Sequence, residues 1–252
     1  MPDVVIFASY GNDSIALIQH FAECNERNVT VAYSDTGWAA PDWADRVAQG
    51  EALATSAGFA TARIPSMGFV PLARMKKGFP ANGRQFCTTY LKILPAQAWL
   101  DSVDPERETI CAVGVRREES RARAAWPEWT EESDKHGGRS LWAPLVRHTE
   151  EQRNALILRA GFAVLPYRSQ ECYPCVNANK SDLRLLTPER VEEIAELEAS
   201  MGVTSKGSPR TLFRPAPKSG AVGIRECIKW ANSSHGAYEP PSSGCDSGMC
   251  SL

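Results

Sequence analysis

The sequence predicts an α/β protein built on a doubly wound parallel sheet, with a small cysteine-bearing C-terminal appendage. Short apolar runs alternate with segments of helical periodicity over the first two thirds of the chain, a pattern typical of parallel strands joined by crossover helices. The almost continuous apolar run at 109–115 indicates a strand covered on both faces. Because the character of the sequence changes near Tyr167, we divide the chain into an α/β domain, residues 1–165, and an appendage, residues 166–252.

Each element of the first domain follows from its residue pattern. Val4–Ala8 is apolar and predicts the first strand, and Leu17 and Phe21 continue at helical spacing in a helix predicted over 14–27. The other predicted strands of this domain are 29–33, 59–64 and 109–115, and the other predicted helices are 41–57, 88–100 and 150–160.

The appendage is predicted to hold two helices, 188–201 and 222–231, joined by a loop rich in Pro, Ser and Lys over 205–220. The tail, 233–252, is rich in Ser, Gly and Pro, and we expect it to be disordered unless Cys245 and Cys250 anchor it.

The composition is that of a globular chain of 252 residues, 43% apolar and 23% charged. The formal net charge of −2 gives no overall attraction to nucleic acid or to an anionic membrane. No apolar run approaches the ~20 residues of a membrane span, and the N-terminus has no signal-peptide pattern, so we expect a cytoplasmic protein without membrane contact. In a cytoplasmic protein, eight cysteines indicate metal binding, redox chemistry or buried thiols rather than disulfides.

The polar segment Ser9–Ser14 lies between the first predicted strand and helix. Backbone N–H groups and hydroxyls at a helix N-terminus favour a phosphate or sulfate. We expect Gly11 to permit close approach of the backbone and Ser9 and Ser14 to donate hydrogen bonds, while Asp13 caps the helix or holds magnesium if ATP is the ligand. The alternative is an ordinary helix capped by Asp13 or Ser14.

Two further predicted strands end in polar loops, Asp35–Thr36 and Gly114–Arg121. Since ligands bind beyond the carboxyl ends of parallel strands, we expect these loops and the Ser9 loop to form one pocket. Arg116, Arg117 and Arg121 offer forked donors that match phosphate or sulfate oxygens. Alternatively, these arginines pair with the neighbouring glutamates at a solvated helix start.

Six segments resemble motifs of one family and occur in that family's order: Ser9–Ser14, Ser34–Gly37, Arg84–Pro95, Gly114–Arg121, Leu141–Leu145 and Glu171–Cys175. On these residues the chain resembles the phosphoadenosine phosphosulfate reductase family of the adenine nucleotide alpha-hydrolase (PP-loop ATP pyrophosphatase) superfamily. The resemblance spans roughly residues 4–175. It implies that superfamily's sheet, an adenine nucleotide (PAPS, APS or ATP) as ligand and, from the late C-x-P-C segment, the iron–sulfur-bearing branch.

The chain also departs from the family pattern. Tyr10 stands where ATP-cleaving relatives usually have glycine, and Asn12 where many of them have lysine. Phe86 replaces the first of two paired cysteines, which removes one expected cluster ligand. The C-terminal segment E-C-G-[IL]-H, which carries the reductase nucleophile, is absent, and Cys245–Cys250 stands in its place.

The resemblance assigns the nucleotide to residues of these loops, namely Ser9, Tyr10, Gly11, Asn12, Asp13, Ser14, Asp35, Thr36, Arg84, Gly114, Arg116 and Arg121. Lys76, Lys77 and Arg84 flank the loop 78–83, which either closes over substrate or is only a basic surface turn.

Cys172 and Cys175 form a C-x-x-C pair, which can bind a metal ion or cluster or form a redox-active dithiol. Together with Cys87 before Lys92, the resemblance favours a [4Fe-4S] cluster, which suits soft thiolate ligands. Lys92 is then expected to tune the cluster electrostatically.

The fourth cluster ligand stays open. It is Cys245 or Cys250 of the tail, Cys227, or no protein residue at all. The main alternative is zinc held by the C-x-x-C pair and the two tail cysteines. Cys111 and Cys24 are expected to be inert core thiols, and core packing is also the expected role of Cys227.

Three functions follow from the resemblance. The first is a thiol-dependent reductase, in which Cys250 or Cys245 attacks the sulfur of adenylyl sulfate (APS) or its 3′-phosphorylated form (PAPS) and a thioredoxin-like partner releases sulfite. The alternative is an ATP-dependent sulfur-transfer or thiolation enzyme, the only case in which we expect Mg²⁺. A second alternative is a nucleotide-binding protein without catalysis.

We also expect a homo-oligomer. Nucleic acid is a less favoured partner because of the near-neutral charge, although a local basic face would suffice. The cations of that face are Lys180, Lys206, Arg210, Arg214, Lys218, Arg225 and Lys229.

Overall fold

The computed structural model describes residues 1–81, 83–213 and 222–234. Its strands are β1 (Val4–Phe7), β2 (Val29–Asp35), β3 (Ala60–Pro65), β4 (Ile110–Ala112), β5 (Trp129–Ser133) and β6 (Arg139–Trp142). They form one sheet in the order β3-β2-β1-β4-β6-β5, in which only the β5–β6 pair is antiparallel. The chain winds outward from β1 in both directions, so the predicted doubly wound α/β fold is confirmed.

The helices are α1 (Asn12–Glu23), α2 (Trp43–Ser56), α3 (Phe69–Met75), α4 (Phe86–Thr88), α5 (Leu94–Val103), α6 (Glu150–Arg159), α7 (Lys180–Arg184), α8 (Pro188–Met201) and α9 (Ile224–Ala231). A π-helical stretch, Thr89–Ile93, joins α4 to α5. None of the helices within the described residues is long and apolar enough to cross a membrane.

The sheet is buried on both faces, because successive side chains of β1 point to opposite sides. Ile6 packs with Leu17 and Phe21 of α1 on one face, and Phe7 packs with Leu100 of α5 on the other. Full burial of an apolar side chain of this size contributes about 1.5–3 kcal/mol, so these two layers hold β1 at the centre of the molecule.

A third apolar cluster joins the C-terminal helices to the sheet domain. Ile194 of α8 and Ile224 of α9 pack in one cluster with Trp38, Phe69 and Leu91. The proposed division of the chain between residues 165 and 166 stays a prediction, and the two sides of that division share this cluster.

Some elements differ from the predicted ones. β4 has only three residues of the predicted run 109–115, since Val113, Gly114 and Val115 stay buried but leave the strand. β5 was not predicted because Trp129–Ser133 is an edge strand whose side chains are largely exposed and lack an apolar alternation. α3 was not predicted because its seven residues are too few for a clear helical period.

Candidate functional site

The loop between β1 and α1 is closed by its own hydroxyl groups. Ser9 N donates a hydrogen bond of 3.0 Å to Ser14 Oγ, and the Ser9 and Ser14 hydroxyl oxygens are 3.3 Å apart. Gly11 N donates to Ser9 Oγ at 3.4 Å. The loop therefore gathers N–H and O–H donors at the N-terminus of α1, an arrangement suited to an anion. The binding of a nucleotide by these residues stays a prediction.

Tyr10 supports the loop from the core. Its φ is +57° and its side chain is fully buried, with the ring packed against α2. A Cβ atom added to Gly50 of α2 would lie 2.1 Å from Tyr10 Cδ1. The Tyr10 hydroxyl has no hydrogen-bond partner among the described residues, and burial raises its pKa. Only the backbone of Tyr10 is therefore available to the predicted nucleotide.

Two side chains of α2 hold the carbonyl groups of the loop. Trp43 Nε1 donates to Ser9 O and Arg46 Nε donates to Tyr10 O, both at 3.2 Å. In a trans peptide the carbonyl and the next N–H point in opposite directions, so these bonds turn the N–H groups of Tyr10 and Gly11 away from α2. Sequence analysis missed both roles, since Trp43 showed only the helical spacing of a core residue.

Asp13 joins the first loop to the loop after β4. Its carboxylate accepts from Arg116 Nε at 2.8 Å and from Arg153 Nη1 at 3.4 Å. Gly114 lies so close that an added Cβ would be 2.9 Å from Asp13 O, which leaves no room for a side chain. The predicted meeting of the Ser9 and Gly114 loops is therefore present, at the point where the strand order reverses.

Residues 165–169 lie over the loop. The Asn12 side chain donates to Leu165 O at 2.8 Å and accepts from Leu165 N at 2.9 Å. Ser169 Oγ donates to Ser9 O at 3.4 Å, and an added Cβ at Gly11 would be 3.0 Å from Ser169 Cβ. Asn12 thus holds protein backbone in this structure, and Ser169 is a contact that the sequence did not indicate.

The residues at the carboxyl end of β2, Asp35 and Thr36, lie in different surroundings. Asp35 is exposed, and its Oδ1 accepts from Gly37 N at 2.9 Å. Thr36 is buried and donates from Oγ1 to Glu171 O at 2.8 Å. Thr36 therefore connects the carboxyl end of the sheet to the C-x-x-C segment.

Three cysteine thiols share one cavity. Cys87, Cys172 and Cys175 line one small cavity that opens to solvent. The other lining residues are Thr36, Trp38, Phe69, Gln85, Thr88, Leu91, Lys92, Pro174 and Val176. Burial raises the pKa of the Cys172 thiol, and the positive charge of Lys92 offsets only part of that rise. The cavity is apolar apart from a few polar groups, as is usual for a ligand or cofactor site.

Lys92 pairs with Glu171 at the wall of the cavity, and both side chains are buried. The π-helical stretch contributes Lys92, while Glu171 directly precedes Cys172. π-Helical turns inside helices are frequent at functional sites, because they reorient side chains locally. The structure places Lys92 at the cavity of the three cysteines, where the Glu171 carboxylate balances its charge. Its predicted tuning of a cluster stays a prediction, and the sequence gave no separate signal for Glu171.

The three thiols at the cavity are donors of the kind that an iron–sulfur cluster takes. Among residues 1–81, 83–213 and 222–234, no three His, Cys, Asp or Glu side chains are arranged to hold one metal ion. The ligands of a cluster bind different iron atoms and need not converge on one point, and soft thiolates on one cavity are the ligands such a cluster takes.

Other predicted site residues lie elsewhere. Arg84 and Arg121 are exposed, and their role at a nucleotide stays a prediction. Cys245 and Cys250, predicted as nucleophile or cluster ligand, lie outside the described residues. Cys24 was expected in the core and is exposed instead, because it caps the C-terminus of α1 at the surface.

The remaining described cysteines do not line the cavity. Cys111 is fully buried in β4 and Cys227 is buried on α9, as expected for core thiols. The six cysteines within the described residues form no disulfide.

Two solved structures resemble this chain. One is the phosphoadenylyl-sulfate (PAPS) reductase of Candida auris in a phosphate complex, with 14% identity, a TM-score of 0.46, and coverage of 65% of this chain and 75% of the other. The other is the U34-tRNA thiolase NcsA of Methanococcus maripaludis with its [4Fe-4S] cluster, with 13% identity, a TM-score of 0.48, and coverage of 100% and 82%.

Among curated proteins, an uncharacterized 37.8 kDa protein of Escherichia phage 186, from the gpa 5′ region, is 34% identical over 161 residues. That match covers 58% of this chain, and the chain spans only 46% of the phage protein's length. The family model of the phosphoadenosine phosphosulfate reductase domain matches residues 3–175, which include both the Ser9 loop and the three cavity cysteines. The chain therefore belongs to the phosphoadenosine phosphosulfate reductase domain family.

Proposed function

We propose that this chain is an iron–sulfur enzyme that reduces a sulfated adenine nucleotide, APS or PAPS, to sulfite. The observation that carries the proposal is the shared cavity of Cys87, Cys172 and Cys175. The segment that bears the last two cysteines also contacts the predicted anion loop through Ser169. One continuous stretch of chain thus connects a place for the nucleotide's anion with a place for redox chemistry.

The charges around Asp13 support a ligand that binds without magnesium. Arg116 and Arg153 are more than 90% buried at their side chains, and both donate to the Asp13 carboxylate. A carboxylate engaged by two guanidinium groups is a poor ligand for a divalent cation. This arrangement favours APS or PAPS over an ATP–magnesium complex.

Cys87, Cys172 and Cys175 would hold a [4Fe-4S] cluster, with Cys245 as the proposed fourth ligand. When bound, the cluster supplies an electron-storing, electrostatically active group beside the substrate. We assign the nucleophile to Cys250, with Cys245 as the alternative. The thiolate attacks the sulfate sulfur and displaces the nucleotide phosphate, and a thioredoxin-like dithiol then releases sulfite as it becomes a disulfide.

A second candidate is ATP-dependent sulfur transfer. Phe86 occupies the place of a fourth cysteine and packs in the third apolar cluster, so the described part of the chain offers three thiols at the cavity. A cluster with three protein ligands keeps one iron open to sulfide or substrate, which favours this chemistry.

Anaerobic purification followed by iron, sulfide and zinc analysis tests the cofactor. We expect iron, sulfide and a brown protein with absorption near roughly 400 nm. Cys87→Ser and Cys172→Ser should each lose iron, whereas the exposed Cys24→Ser should retain it. A colourless anaerobic protein that contains zinc would overturn the cluster assignment.

The reaction is tested with three nucleotides. Sulfite release from APS or PAPS with a dithiol, lost in Cys250→Ser or Cys245→Ser, is the expected result. Pyrophosphate release from ATP would instead establish the second candidate. Heat of nucleotide binding in calorimetry without either product would indicate a non-catalytic binding protein, and no heat with any adenylate would overturn the nucleotide site.

A further inference from the structure

The charge of this chain is strongly segregated. Residues 52–100 contain six Lys or Arg and no Asp or Glu. The other 203 residues hold the remaining 22 of the 28 Lys and Arg and all 30 Asp and Glu, a formal charge of −8. A chain of net charge −2 thus carries one segment of single-sign charge, which creates a local positive field.

Four cations of this segment are exposed and have no acidic partner among the described residues: Arg74, Lys76, Lys77 and Arg84, here called the basic patch. The other two cations of the segment pair with carboxylates, Arg63 with Glu51 and Lys92 with Glu171. The basic patch therefore keeps its full charge for a partner.

The basic face predicted from the C-terminal sequence behaves differently. Arg225 pairs with Glu192 and Lys229 with Glu226, while Lys180 is buried with its ammonium over the Trp230 ring. Carboxylates of this chain neutralise the charges of Arg225 and Lys229, and burial removes the ammonium group of Lys180 from the surface. Lys206 of this face is exposed and has no acidic partner among the described residues, but it stands alone, whereas the basic patch gathers four such cations between Arg74 and Arg84.

The basic patch borders the thiol cavity. Arg84 is followed by Gln85 and Cys87, which both line the cavity, and Phe69 at the start of α3 lines it as well. Lys76 Nζ lies 3.8 Å from the centre of the Tyr90 ring, in the π-helical stretch that carries Lys92. A partner on the basic patch is therefore next to the three cysteines.

We propose that the basic patch is the docking surface for a small acidic dithiol protein of the thioredoxin class, which reduces the S-sulfo intermediate of the proposed reaction. The inference rests on the proposed reduction, which consumes two electrons and two protons as a dithiol carrier becomes a disulfide. Electron-transfer partners bind through small, electrostatically steered interfaces, and a patch of four charges beside a redox site fits this class.

Two features favour a protein over nucleic acid. Met75 lies between Arg74 and Lys76 and is half exposed, and methionine and arginine are enriched in protein interfaces. An extended polyanion would also run from the basic patch onto the acidic remainder of the chain, whereas a compact acidic protein contacts the patch alone.

The test compares charge reversal inside and outside the basic patch in the full, cluster-loaded chain. The patch variant is Arg74→Glu, Lys76→Glu and Lys77→Glu combined, with Arg84 left intact because it is predicted to contact the nucleotide. The control variant reverses three exposed cations elsewhere: Arg27→Glu, Arg147→Glu and Lys206→Glu. The probes are a small acidic thioredoxin, a small acidic ferredoxin and a 20-nucleotide single-stranded RNA.

We expect the acidic thioredoxin to bind the natural chain, about tenfold or more weakly at 300 mM than at 50 mM NaCl. The ferredoxin, which has no dithiol to donate, is the acidic control. The patch variant should bind at least about tenfold more weakly at low salt, and the control variant within about twofold of the natural chain. Sulfite release driven by dithiothreitol should be equal in all three proteins, because a small reductant needs no docking surface.

The docking inference is overturned if the acidic thioredoxin does not bind or if the patch variant binds it like the control variant. It is also overturned if the ferredoxin or the RNA binds more tightly than the thioredoxin and loses affinity in the patch variant. Absence of sulfite with dithiothreitol in the natural chain would overturn the proposed reduction itself. The two failures are therefore separable.

Discussion

Arg116 Nε lies 2.8 Å from Asp13 Oδ1, although the two residues are 103 positions apart in the chain. This ion pair ties the N-terminus of α1 to the loop after β4, on the two sides of the point where the sheet reverses direction. Because the Arg116 side chain is only 6% exposed, this is a buried ion pair that fixes the geometry of the predicted anion site, unlike a solvent-exposed pair.

Asp13→Asn should lower the free energy of unfolding by about 1–3 kcal/mol, because it leaves two buried guanidinium groups without their common carboxylate. Urea unfolding measures this loss. Glu150→Gln is the matched control, since Glu150 also pairs with Arg153 but is 64% exposed at its side chain, and it should cost less than about 0.5 kcal/mol. Equal stability of the two variants would show that Asp13 is not the main counterion.

Gly50→Ala should destabilise the protein by about 1–3 kcal/mol. In most helices the same change is stabilising, by roughly 0.5–1 kcal/mol. Here the new methyl group would lie 2.1 Å from Tyr10 Cδ1 and would push the ring and the Ser9 loop away. Thermal or urea unfolding measures whether the substitution lowers or raises the free energy of unfolding. Gly78→Ala, where the nearest atom is 4.0 Å away, serves as the control and should leave stability nearly unchanged.

Arg46→Met should weaken nucleotide binding about three- to tenfold. The variant keeps an unbranched side chain over the Phe162 ring but removes the donor that holds Tyr10 O, a bond worth about 0.5–1.5 kcal/mol. Titration calorimetry with APS or ATP measures the effect. Arg63→Met, which removes an exposed arginine paired with Glu51, should bind nucleotide like the natural chain; an unchanged affinity in Arg46→Met as well would mean that α2 does not orient the loop.

Acid should destabilise the fold through His136. Burial, together with the charges of Lys135 and Arg139, lowers the pKa of His136 to about 4. The unfolded chain binds a proton near pH 6.5 while the folded chain does not, so stability present above pH 6.5 is lost progressively as the pH falls to about 4. The loss reaches about 3 kcal/mol.

His136→Gln should remove that part of the pH dependence. The measurement is urea unfolding between pH 7 and pH 4 for both proteins. The stability difference between them should shrink as the pH falls, and parallel curves would contradict the assignment to His136.

The central part of the fold was predictable because its patterns are local. Short stretches of sequence were enough to predict three elements: the strand at Val4–Ala8, the helix that contains Leu17 and Phe21, and the helix Pro188–Met201. β5 was not predictable, because an exposed edge strand pairs with only one neighbouring strand, here β6, and its sequence needs no alternation of apolar and polar residues.

The candidate site was predictable to the same extent. The meeting of the Ser9 and Gly114 loops followed from the strand ends, which lie at one edge of a parallel sheet. The meeting of Cys87 with Cys172 and Cys175 was implied by the family resemblance. The contacts of Arg46, Ser169 and Glu171 could not be predicted, since each depends on the placement of side chains from elements far apart in the chain.

The stretch from Ser169 to Cys175 has a mechanical consequence. Ser169 contacts Ser9 and crowds Gly11, and three residues later Cys172 reaches the cavity. A displacement of the backbone at Ser169 would therefore reach Cys172 and Cys175 along a stretch of only a few residues, so the position of these two thiols depends on the position of the Ser9 loop.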